Sequence, residues 1–158
     1  MVLVTVGTES NIVAALDIKI RPGQDNIIFR AHVERVKNIF QVSDWSADST
    51  YLSRKNCDAV AKIGAKPWFK LKKNTRSRAK GSKAWKHMVY AMRELPEIAE
   101  PKYHKRSNVE STNSAKKRKF NTYVRAKNNI AKINEESISW VCYNFSIIPK
   151  INIFLSKR

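Results

Sequence analysis

Tyr103-His104-Lys105-Arg106-Ser107-Asn108-Val109-Glu110, followed seven residues later by Lys117, is the most informative run in the chain. Its polar residues fall three, seven and fourteen positions after the tyrosine. On an α-helix, at about 100° per residue, those offsets return to one side within roughly 60°. One stripe would then carry a phenol, a guanidinium, a carboxylate and an ammonium. A carboxylate beside such cations suits a metal ion and a phosphate, because the carboxylate takes the metal while the bases neutralise phosphate oxygens. The alternative is a solvated face of a basic helix.

Outward from the stripe, Pro101 suits the first turn of its helix and Asn121 its end. Ser107, Asn108, Val109, Ser111, Thr112 and Asn113 are weak helix formers, so propensity alone does not place a helix there. Upstream, Val2 to Val6 and Ile12 to Ile20 flank a turn-like cluster, Gly7 to Asn11, and predict a β-hairpin that Arg21-Pro22-Gly23 ends. Asp25 is a candidate cap for a helix with Ile28, His32 or Val33, Val36 and Phe40 near helical spacing, ending near Phe40. A short strand is expected within Gln41 to Asp48, against poor propensity at Ser43, Asp44 and Ser46. Ser53 predicts the N-cap of a helix to Ile63, with Val60 and Ile63 inward and Gly64 as the stop. Pro67 to Leu71 reads as a further strand.

Lys72 to Lys86 reads as a solvated basic insertion, partly mobile until it meets a polyanion. Met88, Met92 and Leu95 mark a short helix after it. Ile130, Ile133, Ile138, Val141 and Phe145 mark a last amphipathic helix, closed by Pro149. The order strand, strand, helix, strand, helix, strand, insertion, helix, helix predicts a mixed α/β class.

Composition narrows the partners. A chain of 158 residues with 42% hydrophobic content suits one domain with a core. The formal charge is +18, from 31 Lys+Arg against 13 Asp+Glu. That excess points to a polyanion such as nucleic acid, with affinity falling steeply in salt. The bases concentrate between Lys66 and Lys127, and Lys72, Lys73, Arg76, Arg78 and Lys105 are the candidate DNA contacts beside the stripe. Trp68, Phe69 and Trp85 interleave with them, although Trp68 and Phe69 lie in a strand-like run where core packing is the better reading. Cys57 and Cys142 stand far apart and are expected as free thiols. His32, His87 and His104 show no metal-ligand pairing, and four glycines form no phosphate-cradling loop. The start has no basic leader, and no apolar run approaches the ~20 residues that span a bilayer. A cytoplasmic, nucleoid-associated protein without a membrane partner is expected.

The spacing tyrosine, two residues, arginine, three, glutamate, six, lysine resembles the signature of insertion-sequence transposases of the DDE type, in the family four-like group. Ala47-Asp48-Ser49-Thr50-Tyr51 resembles the segment around that family's second catalytic aspartate. The likeness continues through Gly23-Gln24-Asp25, Ser53-Arg54-Lys55-Asn56, Ile63-Gly64-Ala65-Lys66-Pro67, Lys83-Ala84-Trp85, Ile133-Asn134-Glu135 and Asn144. It implies a ribonuclease-H-like core over residues 1–148, with a basic insertion at about 72–100 and a tail at 149–158. It also implies DNA transposition, with metal-dependent cleavage and strand transfer at transposon ends. By this resemblance Asp48 and Glu110 would bind Mg²⁺ or Mn²⁺ as catalytic ligands, with Asp44 the fallback for Asp48. Arg106 and Lys117 would contact phosphates, and Tyr103 would position the DNA end.

The family's first catalytic aspartate lies on a central strand that precedes the hairpin beginning here at Met1. Asp17 and Asp25 align with non-catalytic positions, as a strand-edge charge and a helix cap. A chain without that strand is expected to be inactive alone and prone to aggregate. The alternative is a non-catalytic basic DNA-binding remnant or regulator, acting on transposon ends and target, as a homo-oligomer or with intact transposase. A basic RNA-binding protein would explain the charge but not the stripe.

Overall fold

Two largely apolar runs at the start of the chain pair as the hairpin expected of them, β1 (Val2–Val6) and β2 (Val13–Ile18), antiparallel from Val2 opposite Ile18 to Val6 opposite Val13. Asn11, at φ 56°, turns the chain between them, a conformation asparagine tolerates better than most residues. The computed structural model describes residues 2–20, 25–120 and 123–155. Arg21-Pro22-Gly23 and Asn121 lie outside the described residues, as does the side chain of Asp25. The chain is mixed α/β and divides into two compact units, residues 1–23 with 107–158 and residues 24–106.

The first unit holds the hairpin, α5 (Ser107–Phe120) and α6 (Asn129–Leu155). Its core is Val13, Trp140, Tyr143 and Ile147, with Val4, Val6, Ile12, Leu16, Ala115 and Phe120 packed around them. This corrects the face of the last helix. Ile130, Ile138, Val141 and Phe145 are exposed, because the large rings of Trp140 and Tyr143, edge to face at 5.9 Å, take the inner side. Pro149 does not close the helix either. It lacks the backbone donor that would meet the carbonyl of Phe145, an exposed residue, and α6 nonetheless continues to Leu155. Residues 149–155 therefore belong to the helix rather than to a tail.

Asn144 joins α6 to the hairpin with its side-chain amide. It donates to the Val13 carbonyl at 2.9 Å and accepts from the Val13 N–H at 2.9 Å. Both backbone groups of Val13 are satisfied by one residue, as a neighbouring strand would satisfy them. Lys116 of α5 is buried, 4% exposed, and its ammonium meets both Glu136 oxygens at 2.8 and 2.7 Å. Trp140 lies under that ammonium and donates to Glu136 at 2.9 Å.

The second unit is built on a βαβ crossover: β3 (Asp44–Ala47), a 3₁₀ turn (Ser49–Tyr51), α2 (Arg54–Lys62) and β4 (Lys66–Phe69), which pairs parallel to β3. Both strands are shorter than Gln41–Asp48 and Pro67–Leu71. Ser53 caps α2 by accepting from Asn56 N–H, and Gly64 takes φ 82° after its end, as the sequence predicts. α1 (Asp25–Lys37), α3 (Lys83–Glu94) and α4 (Pro96–His104) complete the unit. Phe29 of α1 centres the core, with Trp45, Tyr51 and Phe69 rings at 5.7, 5.3 and 5.6 Å. Buried Asn56 is fully used, donating to Asn26 and the Tyr51 carbonyl and accepting from Arg30. Trp68 and Phe69 are core residues, and so are Trp85, Met88 and Val89 of α3.

Among the described residues no third strand pairs with either two-stranded sheet. No helix among them is long and apolar enough to cross a membrane.

Candidate nucleic-acid interface

The polar stripe does not sit on one helix. α4 begins at Pro96, carries Pro101 inside it and ends at His104, and a turn at Lys105 and Arg106 precedes α5. Arg106 N–H donates to the Tyr103 carbonyl at 3.0 Å, closing that turn. Ser107 and Asn108 favour a break, because their short polar side chains compete with helical backbone bonding. The Asn108 side-chain amide donates to the Thr8 carbonyl, in the turn between β1 and β2, at 2.6 Å. Tyr103 and Arg106 belong to the second unit, where the guanidinium lies 5.7 Å from the ring centre. Glu110 and Lys117 belong to the first, at the start and end of α5, both exposed. An acid in the first turn and bases in the last suit the helix macrodipole.

The two aspartates near β3 have structural tasks. Asp48 caps the 3₁₀ turn, accepting from Ser49 N–H at 2.7 Å. Asp44 accepts from Trp68 Nε1 at 2.7 Å and from Ser43 Oγ at 3.1 Å, and pairs with Lys102 at 3.0 Å. Burial works to raise the Asp44 pKa, but the bonds from Trp68, Lys102 and Ser43 and the Lys102 charge outweigh it and hold the carboxyl below its usual value. Among the described residues no three of His, Cys, Asp or Glu gather as a group able to hold a metal ion. Asp48 and Glu110, one carboxylate in each unit, are fewer donors than a two-ion centre takes. Cys57 is buried and its thiol is pushed up to about 12, chiefly by burial and also by Asp58. It is no nucleophile.

What the second unit does build is a cationic cleft. Residues 70–82 have no regular secondary structure, yet the segment is pinned through its carbonyls. Arg93 donates to the Thr75 carbonyl, Trp85 Nε1 to that of Arg76 at 2.9 Å, and Arg54 to those of Arg78 and Ala79 at 2.9 and 3.1 Å. Thr75, itself buried, accepts from Lys72 N–H at 2.9 Å. The Arg54 guanidinium lies over the Trp85 ring, 4.6 Å from its centre. Ser82 then caps α3, accepting from Trp85 N–H and donating to Asp58. The basic segment therefore has a built shape, and Lys83 to Lys86 are the first turn of a packed helix rather than part of an insertion.

The cleft has a volume of about 390 Å³ and is lined by Arg54, Lys72, Arg76, Arg78 and Lys80 with Leu52, Asn74, Thr75 and Trp85. No acidic residue lines it. Lys72, Arg76, Arg78 and Lys80 are exposed, and no carboxylate among the described residues pairs with them. Lys73 is exposed on the same segment, and Lys105 at the end of α4. Of the residues singled out in the sequence, the fold thus gathers Lys72, Arg76 and Arg78. Sequence reasoning missed Arg54 as their organiser. Its acceptors lie 24 and 25 residues downstream, so no local pattern could reveal them.

Comparison with protein-family models, with curated proteins and with solved structures finds no match.

Proposed function

We propose that this chain is a DNA-binding protein of the DDE-transposase type, which holds DNA through the cationic cleft and does not cut it alone. One observation carries the DNA-binding part: five cations face one cleft with no acid among them, while the carbonyls of the same segment are turned to Arg54, Arg93 and Trp85. Like charges held together in this way repel one another, and a polyanion that meets them relieves the repulsion and releases its own counterions. The transposase part rests on the Tyr103, Arg106, Glu110 and Lys117 spacing and on the Asp48 segment. The antiparallel hairpin and the parallel βαβ unit make the chain mixed α/β, the class to which the ribonuclease-H-like core implied by the resemblance belongs. Lys73, Lys105 and the Tyr103–Arg106 pair would extend the DNA contact. Mg²⁺ or Mn²⁺ would be the ion of the family's chemistry, but Asp48 and Glu110 alone do not furnish a centre for it, so no cleavage is assigned to them. Action at transposon ends or target, as a homo-oligomer or beside an intact transposase, would follow from the same reading.

Titrating the purified chain against labelled duplex DNA at several salt concentrations tests this. The logarithm of affinity should fall linearly with the logarithm of salt, and Arg76→Ala with Arg78→Ala should lower the slope by about two, roughly one per lost phosphate contact. Glu110→Gln should leave binding nearly unchanged. Salt-independent binding, or a double variant indistinguishable from wild type, would refute the proposal.

A further inference from the structure

The cleft suggests a narrower ligand than duplex DNA. Resting on the DNA-binding reading, we infer that it is a receptor for the phosphomonoester end of a nucleic-acid strand.

Three features point there. At about 390 Å³ the cleft lies near the lower end of small-ligand pockets, which run from about 300 to 1,000 Å³. That seats roughly one nucleotide within it, whereas a double helix would meet only the exposed cations of its rim. Next, Arg54, Lys72, Arg76, Arg78 and Lys80 place five formal positive charges on its lining with no acid. An internal phosphodiester brings one negative charge, whereas a terminal phosphate carries about −1.5 to −2 at pH 7 and presents three acceptor oxygens. Crowded like charges gain most from the ligand that neutralises most of them. Finally, the segment is already shaped, because Arg54, Trp85 and Arg93 hold the carbonyls of Thr75, Arg76, Arg78 and Ala79. Little backbone ordering remains to oppose binding, and what is left to order is the exposed side chains themselves. Arg76 and Arg78, with planar forks matched to phosphate oxygens, would grip the group, with Trp85 holding the Arg76 carbonyl and Arg54 that of Arg78.

The experiment uses the full chain and two single-stranded oligonucleotides of one sequence, one ending in a 5′-phosphate and one in a 5′-hydroxyl, read by fluorescence anisotropy at fixed salt. The phosphorylated strand should bind about tenfold more tightly, a difference on the scale of a charge-assisted contact. Arg76→Ala with Arg78→Ala should erase the difference, and so should the single reversal Arg78→Glu, with an unchanged melting temperature showing that each variant is folded. Equal affinity for the two strands would overturn the inference while leaving DNA binding intact. Failure of both strands and of duplex to bind would overturn both readings. Adenosine triphosphate and inorganic tripolyphosphate are the competing sources of the same chemistry. Displacement of the strand by either at micromolar concentration would assign the cleft to a free polyphosphate and overturn the strand-end inference.

Discussion

Lys116 in the first unit and Arg76 and Arg78 in the second are cations that the fold treats in opposite ways. Lys116 is buried, gripped by both oxygens of Glu136 and underlain by Trp140. Arg76 and Arg78 are exposed, and only their backbone carbonyls are tied down. A charge that has a partner serves the fold, and its removal should appear as lost stability. One whose backbone is fixed while its head is left to solvent serves something else, and its removal should appear as lost binding.

The sharpest way to break that comparison is Glu136→Ala. It strands a buried ammonium, and about 3–5 kcal/mol of stability should go, read as a lower denaturant midpoint. Replacing the pair by Lys116→Met and Glu136→Leu should recover most of the loss, since well-packed apolar groups often substitute for a buried pair. A Glu136→Ala variant as stable as wild type would make Lys116 as dispensable to the fold as Arg76.

A smaller effect is expected from Asp44, whose folded carboxyl titrates below its ordinary value of 3.8. A depressed folded pKa contributes stability that is fully present above the unfolded value and is lost as pH falls through the folded one. Acid unfolding below about pH 3.8 should therefore be shallower in Asp44→Asn than in wild type. At neutral pH that variant should lose about 1–2 kcal/mol, from weakened bonds to Trp68 and Lys102. Melting curves from pH 2 to 7 check both.

Asp48→Ala should have the smallest effect. A cap on a short 3₁₀ turn is worth about 0.5–1 kcal/mol, and DNA affinity should not change. A large loss of DNA affinity without loss of stability would return Asp48 to a functional role.

Local features were legible in the sequence. The hairpin, the Ser53 cap and the Gly64 stop each depend on a few adjacent residues whose conformational preferences agree with the fold. The buried face of α6 was not, because Ile138, Val141 and Phe145 on one side and Trp140, Tyr143 and Ile147 on the other are equally apolar. Periodicity cannot choose between two apolar faces. The break at Lys105 and Arg106 was hidden for another reason: Ser107 and Asn108 mark it only weakly, no Gly or Pro stands there, and Pro101 lies inside the helix instead. For the candidate site, the cations were readable one by one. Their arrangement was not, since it depends on side chains of α2 and α3 reaching carbonyls of a distant loop.

Asn144 bears on how copies of this chain behave together. The outer edge of a two-stranded hairpin is a template on which another chain can add a strand. At Val13 that template is already read, because one amide takes the donor and the acceptor that an incoming strand would need. A helix side chain thus acts as a one-rung decoy, and growth of a sheet from β2 would first have to evict it.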